Sequence, residues 1–147
     1  MKQLFKVLFI SLAFVSCKQK VQSTDIPKIN GYWEIEKVVF DDGDEKEYAA
    51  NQNYDYFQIS SNNQGIRKKV APQLDGTFLV DDSFEKVSIR FQEDKAYLDY
   101  ATPYMKYIEE IIALSAEELV VLNAQKKEYH YKKATAINIL GDGKKTK

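Results

Sequence analysis

From Gly31 onward the chain alternates. Val87, Ile89 and Phe91 are interleaved with Lys86, Ser88 and Arg90, and Tyr129 and Tyr131 with Glu128, His130 and Lys132. A period of two puts successive side chains on opposite faces of an extended segment, so these stretches read as half-buried strands. Runs rich in Val, Ile, Tyr and Phe occupy 32–40, 54–60, 65–71, 77–80, 84–92, 95–100, 104–114, 118–123 and 128–133. β-Branched and aromatic side chains suit a pleated surface. Between the runs lie turn-forming segments such as Ser61-Asn62-Asn63-Gln64, Asp81-Asp82-Ser83 and Glu93-Asp94. One run departs from the pattern. In 104–114, Ile108, Ile112 and Leu114 share one parity while Met105, Tyr107 and Ile111 share the other, which implies a bulge or a strand covered on both faces.

Nearly every connection is of hairpin length, as antiparallel neighbours require. The exception follows the first run. The turn Asp41-Asp42-Gly43-Asp44 leads into a charged stretch, 45–53, expected to be irregular with room for one helical turn. Nine short strands joined by hairpins make either a closed meander or a sandwich. A Greek-key sandwich needs long returns, and 40–54 is the one candidate. The expected fold is therefore all-β: an antiparallel up-and-down barrel of about eight or nine strands over 29–136, followed by a C-terminal tail, 137–147. Closure removes sheet edges that would otherwise pair with other chains.

The segment ahead of the barrel has a different character. Lys2 and Lys6 precede an apolar run, Val7 to Val15, broken only by Ser11, and Ser16 stands before Cys17. This is the order of a secretory signal, too short for a membrane-spanning helix. Val15-Ser16-Cys17 resembles the lipobox of bacterial lipoprotein signal peptides, with Phe14 where Leu is usual. That resemblance implies cleavage after residue 16 and lipidation of Cys17 by palmitate-type acyl chains. It also implies a cell-envelope address. Lys18 stands where Asp would retain an enteric lipoprotein in the inner membrane, so the outer membrane, facing the periplasm, is expected. Acyl chains contribute about 0.8 kcal/mol per buried CH₂, and more than one chain gives stable anchoring. Lipidation also masks a thiol that would otherwise be reactive in an exported protein. Residues 17–28 are polar, without apolar periodicity, and are expected to form a flexible tether.

Charge narrows the partners. The 147 residues carry 21 basic and 22 acidic side chains, a formal charge of −1. Removal of residues 1–16 takes Lys2 and Lys6 and no acid, leaving 19 basic against 22 acidic groups, a net −3. Such a chain lacks the basic surface of a nucleic-acid binder, and charge would not hold it to anionic lipid.

The barrel reading is sharpened by Asn30-Gly31-Tyr32-Trp33-Glu34, which opens the first strand with Gly-x-Trp around the only tryptophan. With the strand pattern, this resembles the lipocalin-like proteins, in particular the small lipocalin-like lipoproteins of Bacteroidota. The resemblance spans most of 29–133. It implies that Gly31 lets the chain enter the barrel floor, that Trp33 closes that floor, and that Lys132 or Lys133 on the last strand covers the indole. Such a cation–π contact is worth about 0.5–2 kcal/mol. Leu98-Asp99-Tyr100 stands where lipocalins often carry Thr-Asp-Tyr.

No catalytic constellation stands out. There is one His, His130, and one Cys, Cys17, and no Gly-x-Ser-x-Gly elbow. Glu109-Glu110 and Glu117-Glu118 are adjacent on strands, where neighbours point apart. Asp41-Asp42-Gly43-Asp44-Glu45 lacks calcium-loop spacing. No enzyme activity, cofactor or metal is expected. The expected function is binding of a small apolar or amphipathic ligand in the barrel mouth, with Ile89, Phe91, Tyr107, Tyr129 and Tyr131 as walls. The alternative is a filled barrel that docks onto an envelope protein as a subunit or inhibitor.

Overall fold

The computed structural model describes residues 19–134. Cys17, the leader before it and the tail 137–147 lie outside that range. After a 3-10 helix, Ser23–Ile29, come ten strands: β1 (Gly31–Val39), β2 (Glu45–Glu47), β3 (Tyr54–Ile59), β4 (Gln64–Pro72), β5 (Phe78–Val80), β6 (Glu85–Gln92), β7 (Lys95–Ala101), β8 (Lys106–Leu114), β9 (Glu118–Asn123) and β10 (Glu128–Lys133). Every pairing is antiparallel. Strands β1, β3, β4, β6, β7, β8, β9 and β10 pair in succession, and β10 returns to β1. The result is a closed eight-stranded barrel with β2 and β5 as extra strands on β1 and β4.

Local chemistry sets the hairpins. Glu93 and Asp94 have φ of 51° and 66°, the pair of left-handed residues that a two-residue type I′ turn needs between β6 and β7. Asp75 and Asp81 accept from the backbone N–H groups of Thr77 and Ser83, both at 2.9 Å, and so hold the turns flanking β5. The two-sided apolar pattern of 104–114 has the expected cause. The register between β8 and β9 shifts between Ile111 and Ala113, a bulge that resets which side chains face in. A second shift lies in β1 between Ile35 and Lys37.

Two expectations are corrected. The stretch 45–53 contains a short strand, β2, laid against the end of β1 through Lys37–Glu47 to Val39–Glu45. Residues 21–28 do not form a flexible tether. Val21 and Ile26 are buried in the core with Ile29, and the helix is held by an Asp25–Lys28 pair at 2.6 Å. Burial of these three apolar side chains is worth several kcal/mol at about 1.5–3 kcal/mol each, more than enough to order a short polar segment. Among the described residues, the buried core therefore begins at Val21.

That helix plugs the floor. Trp33 is fully buried, its Nε1 donating to the Ile29 carbonyl at 2.6 Å. Asn30 clamps the plug to β3, donating to the Ile59 carbonyl at 3.0 Å and accepting from its N–H at 2.6 Å. Above the floor, Phe57, Ile59, Val87, Ile89, Ala96, Leu98, Ile111, Leu119 and Val121 fill the interior. Not all aromatic residues point inward. Tyr32 stacks on Phe78 with centroids 4.0 Å apart, and Tyr54 meets the same ring, so β5 folds back over an outer aromatic cluster.

Candidate functional site

Toward the mouth the interior changes from apolar to charged. Strand β4 causes this. Its register opposes Phe57 with Arg67 and Asp55 with Lys69, so Gly65, Arg67 and Lys69 share the inward face while Ile66 and Val70 face out. On β6, Glu85 lies opposite Arg67, and on β8, Glu109 lies opposite the core residue Leu98. Five charged groups thus enter one layer of the barrel.

They form a network. Arg67 Nε lies 3.1 Å from Asp55 Oδ1 and 3.2 Å from Glu85 Oε2, and its Nη1 lies 3.9 Å from Glu109 Oε2. Lys69 Nζ reaches Asp55 at 2.6 Å. Tyr107 donates its hydroxyl to Glu85 at 2.6 Å. The guanidinium also lies over the Tyr100 ring, 5.0 Å from its centroid, and Tyr100 stacks on Tyr107 at 4.6 Å. The Arg67 side chain is only 12% exposed and that of Asp55 only 5%. A buried charge persists only when paired and hydrogen-bonded. Burial opposes the charge on Arg67, but the Asp55 carboxylate beside it outweighs that cost and holds the guanidinium charged, its pKa well above the ordinary value. Burial pushes Glu109 above the usual carboxylate value, with Arg67 pulling the other way. Burial also raises the phenols of Tyr100, Tyr107 and Tyr131. All three stay neutral at physiological pH. The Tyr100 hydroxyl makes no hydrogen bond among the described residues.

Above this layer a cavity of about 560 Å³ opens at the mouth. Tyr107, Tyr129 and Tyr131 form apolar parts of its wall, Asn53, Asn123 and Gln125 its rim, and Arg67, Asp55, Glu85 and Glu109 its base. Asn123 Nδ2 lies 3.4 Å from the Tyr129 hydroxyl, tying rim to wall. Among the described residues no group of three or more His, Cys, Asp or Glu is placed to hold a metal ion.

Of the five expected wall residues, the structure brings three together here: Tyr107, Tyr129 and Tyr131. Ile89 and Phe91 are corrected. Strand β6 runs from mouth to floor, so its later residues sit low. Ile89 is packed in the filled core. Phe91 lies at the floor end, 40% exposed, opposite Ala96 at the start of β7. The charged base, Asp55, Arg67, Lys69, Glu85 and Glu109, is absent from the sequence expectation.

At the opposite end, the structure chooses between the two candidate cations. Lys133 lies directly across from Trp33, its Nζ 4.2 Å from the ring centroid. It also donates to the carbonyls of Lys28, at 2.9 Å, and of Asn30. Lys132 faces outward, 3.6 Å from Glu34. Gly31 has φ of 111°, and a Cβ there would stand 3.3 Å from Lys133 Cε, so glycine serves both the backbone and the lysine. Leu98 and Tyr100 point inward, and Asp99 pairs outside the barrel with Arg90 at 2.8 Å.

The lipocalin-like domain family matches residues 29–121. The chain belongs to that family. Solved structures similar to this lipocalin-like barrel include a lipocalin-like protein from Bacteroides uniformis ATCC 8492. That one has 12% identity and a TM-score of 0.47, with 73% of this chain and 99% of the other covered. A second is an uncharacterized protein from Bacteroides eggerthii DSM 20697, with 10% identity, a TM-score of 0.45, and 71% and 98% covered. No curated protein matches this chain. The lipocalin-like fold supports a small-molecule-binding or scaffold role in general terms.

Proposed function

We propose that this lipocalin-like protein binds a small amphipathic molecule in the barrel mouth, by burial and without covalent chemistry. The observation that carries the reading is the 560 Å³ cavity with tyrosine walls over a charged base. Ligand sites of about 300–1,000 Å³ with apolar walls and a few convergent polar groups are the usual form for small molecules. The base refines the ligand class. A wholly apolar molecule would strip water from the partly exposed Glu85 and Lys69 with nothing in return. The fitting ligand presents a polar group downward and an apolar body to Tyr107, Tyr129 and Tyr131.

The envelope address belongs to the same proposal. Anchoring by acyl chains on Cys17 in the outer membrane would leave only Lys18, Gln19 and Lys20 before the buried Val21. At about 3.3–3.6 Å per extended residue, three residues reach little more than ~10 Å. Val21 belongs to the floor, so the mouth would open away from the bilayer.

The test uses N-phenyl-1-naphthylamine, a neutral fluorescent diarylamine whose single N–H can donate to the acids of the base, with the chain from residue 17 onward. Emission should rise on binding, and Asn53→Trp, which fills the mouth from its rim, should abolish the rise. Equal binding by the Asn53→Trp variant would remove the mouth as the site.

The docking alternative has one observation in its favour. Leu74, Leu79, Val80, Phe84, Tyr104 and Met105 are exposed around the mouth end. Co-purification of one stoichiometric envelope protein, lost on Tyr104→Ser/Met105→Ser, would support it.

A further inference from the structure

The outer face of β4, β6, β7 and β8 carries a second recess, which adjoins the mouth cavity at Tyr107 and Ile108. The register aligns Ile66 with Lys86, Lys86 with Ala101, and Ala101 with Lys106, so these four side chains form one row across four strands. Lys86 and Lys106 stand two strands apart, about 9–10 Å at the usual strand spacing. Between them Ala101 offers only a methyl group, so the row dips at its centre. Phe84 and Ile108, 46% and 48% exposed, flank the dip with Ile66. The recess has a volume of about 860 Å³.

Its charge is unbalanced. Among the described residues, Lys86 and Lys106 are the lysines whose side chains make no hydrogen bond, ion pair or ring contact. The others are engaged: Lys95 with Glu110, Lys126 with Asp41, Lys132 with Glu34, and Lys127 over the Phe40 ring. The one acid in the recess, Asp99, is held by Arg90 through contacts of 2.8 and 3.1 Å and does not neutralise the lysines. Two uncompensated cations beside a concave apolar surface concentrate anions there.

We propose that this outer recess binds a monoacyl anion of fatty-acid type. Its carboxylate sits between Lys86 and Lys106 above Ala101, and its chain lies along Phe84, Ile66 and Ile108. The site does not depend on the mouth and takes a different charge class: the mouth lysine and arginine are already paired with acids, whereas these lysines are free for a ligand.

The test is a titration of the ¹⁵N-labelled chain from residue 17 onward with dodecanoate below its micellar concentration. Amide shifts should cluster at Lys86, Ser88, Ala101 and Lys106, and dodecyltrimethylammonium, the cation of equal chain length, should not reproduce them. In Lys86→Glu/Lys106→Glu, affinity should fall about tenfold or more, while Lys126→Glu/Lys127→Glu, elsewhere on the surface, leaves it unchanged. Both lysine pairs are at the surface, and buried Trp33 emission reports that each variant is folded. Unchanged affinity in the Lys86/Lys106 variant, equal binding of the cation, or absence of any shift in the row would overturn the proposal. Shifts confined to Tyr129 and Tyr131 would place dodecanoate in the mouth instead, overturning this site while leaving the mouth reading intact.

Discussion

The ammonium of Lys133, on the last strand, rests 4.2 Å from the ring centre of Trp33, on the first. The contact crosses the β10–β1 seam that closes the barrel, so one side-chain pair reports both closure and floor. Lys133 loses hydration there, and burial lowers its pKa. The indole face and the carbonyls of Lys28 and Asn30 replace the lost water.

Lys133→Met should therefore destabilise the barrel by about 1–2 kcal/mol, combining loss of the cation–π contact with two carbonyls left without their donor. Lys132→Met, which removes only surface pairing to Glu34 and Glu36, should stay within about 0.5 kcal/mol. Urea denaturation of both variants, followed by emission of the single tryptophan, measures the difference.

Arg67 is the cation shared by Asp55, Glu85 and Glu109 inside the barrel. Arg67→Met should cost about 3–5 kcal/mol, because it removes the cation the three carboxylates share, leaving, among the described residues, Glu109 without an ion pair, Asp55 with Lys69 alone and Glu85 with the Tyr107 hydroxyl alone. Adding Asp55→Asn to that variant should restore part of the loss. A double-mutant cycle by denaturation reads this coupling directly.

Glu109 gives a pH signature. Its folded-state pKa is raised by burial, so the folded chain holds that proton more tightly than the unfolded one. The associated stability is complete below the unfolded value of about 4.5 and declines as pH rises through the higher folded value. Stability of the wild-type chain relative to Glu109→Gln should thus be greater at pH 4 than at pH 7, with denaturation midpoints at the two pH values as the measurement.

The envelope reading rests on Cys17. Cys17→Ser should move the protein from the membrane fraction to the soluble fraction, since the net −3 of the chain from residue 17 gives no attraction to anionic lipid. Continued membrane fractionation would show that something other than an acyl anchor holds it.

Much of the barrel was legible because alternation and turn residues agree locally, as in 84–92 and 95–100, and because Gly31 and Trp33 mark the floor. The bulge in β8 announced itself as apolar residues on both parities. The plug did not: Val21, Ile26 and Ile29 are scattered among polar residues and gain meaning only against the open end of a barrel. The charged base was hidden for a related reason. On β4, Ile66 and Val70 share one parity and Arg67 and Lys69 the other, so placing apolar residues inside selects the wrong face. Val70 is instead buried on the outside, where β5 pairs with it. A shift of one residue exchanges the faces of a strand, and only the partners Asp55, Glu85 and Glu109 decide between them. Alternation gives Ile89 and Phe91 the same parity as the buried Val87 on β6, but it says nothing of depth, so it does not tell mouth from floor.

The central claim is that the mouth, between the three tyrosines and Arg67, takes an amphipathic guest. A backbone-amide titration of the ¹⁵N-labelled chain with N-phenyl-1-naphthylamine examines it residue by residue. Shifts should saturate and centre on Asp55, Arg67, Tyr107, Tyr129 and Tyr131, with the floor around Trp33 unmoved. A titration that leaves those five amides still, or moves only the outer face of β6 and β7, would contradict it.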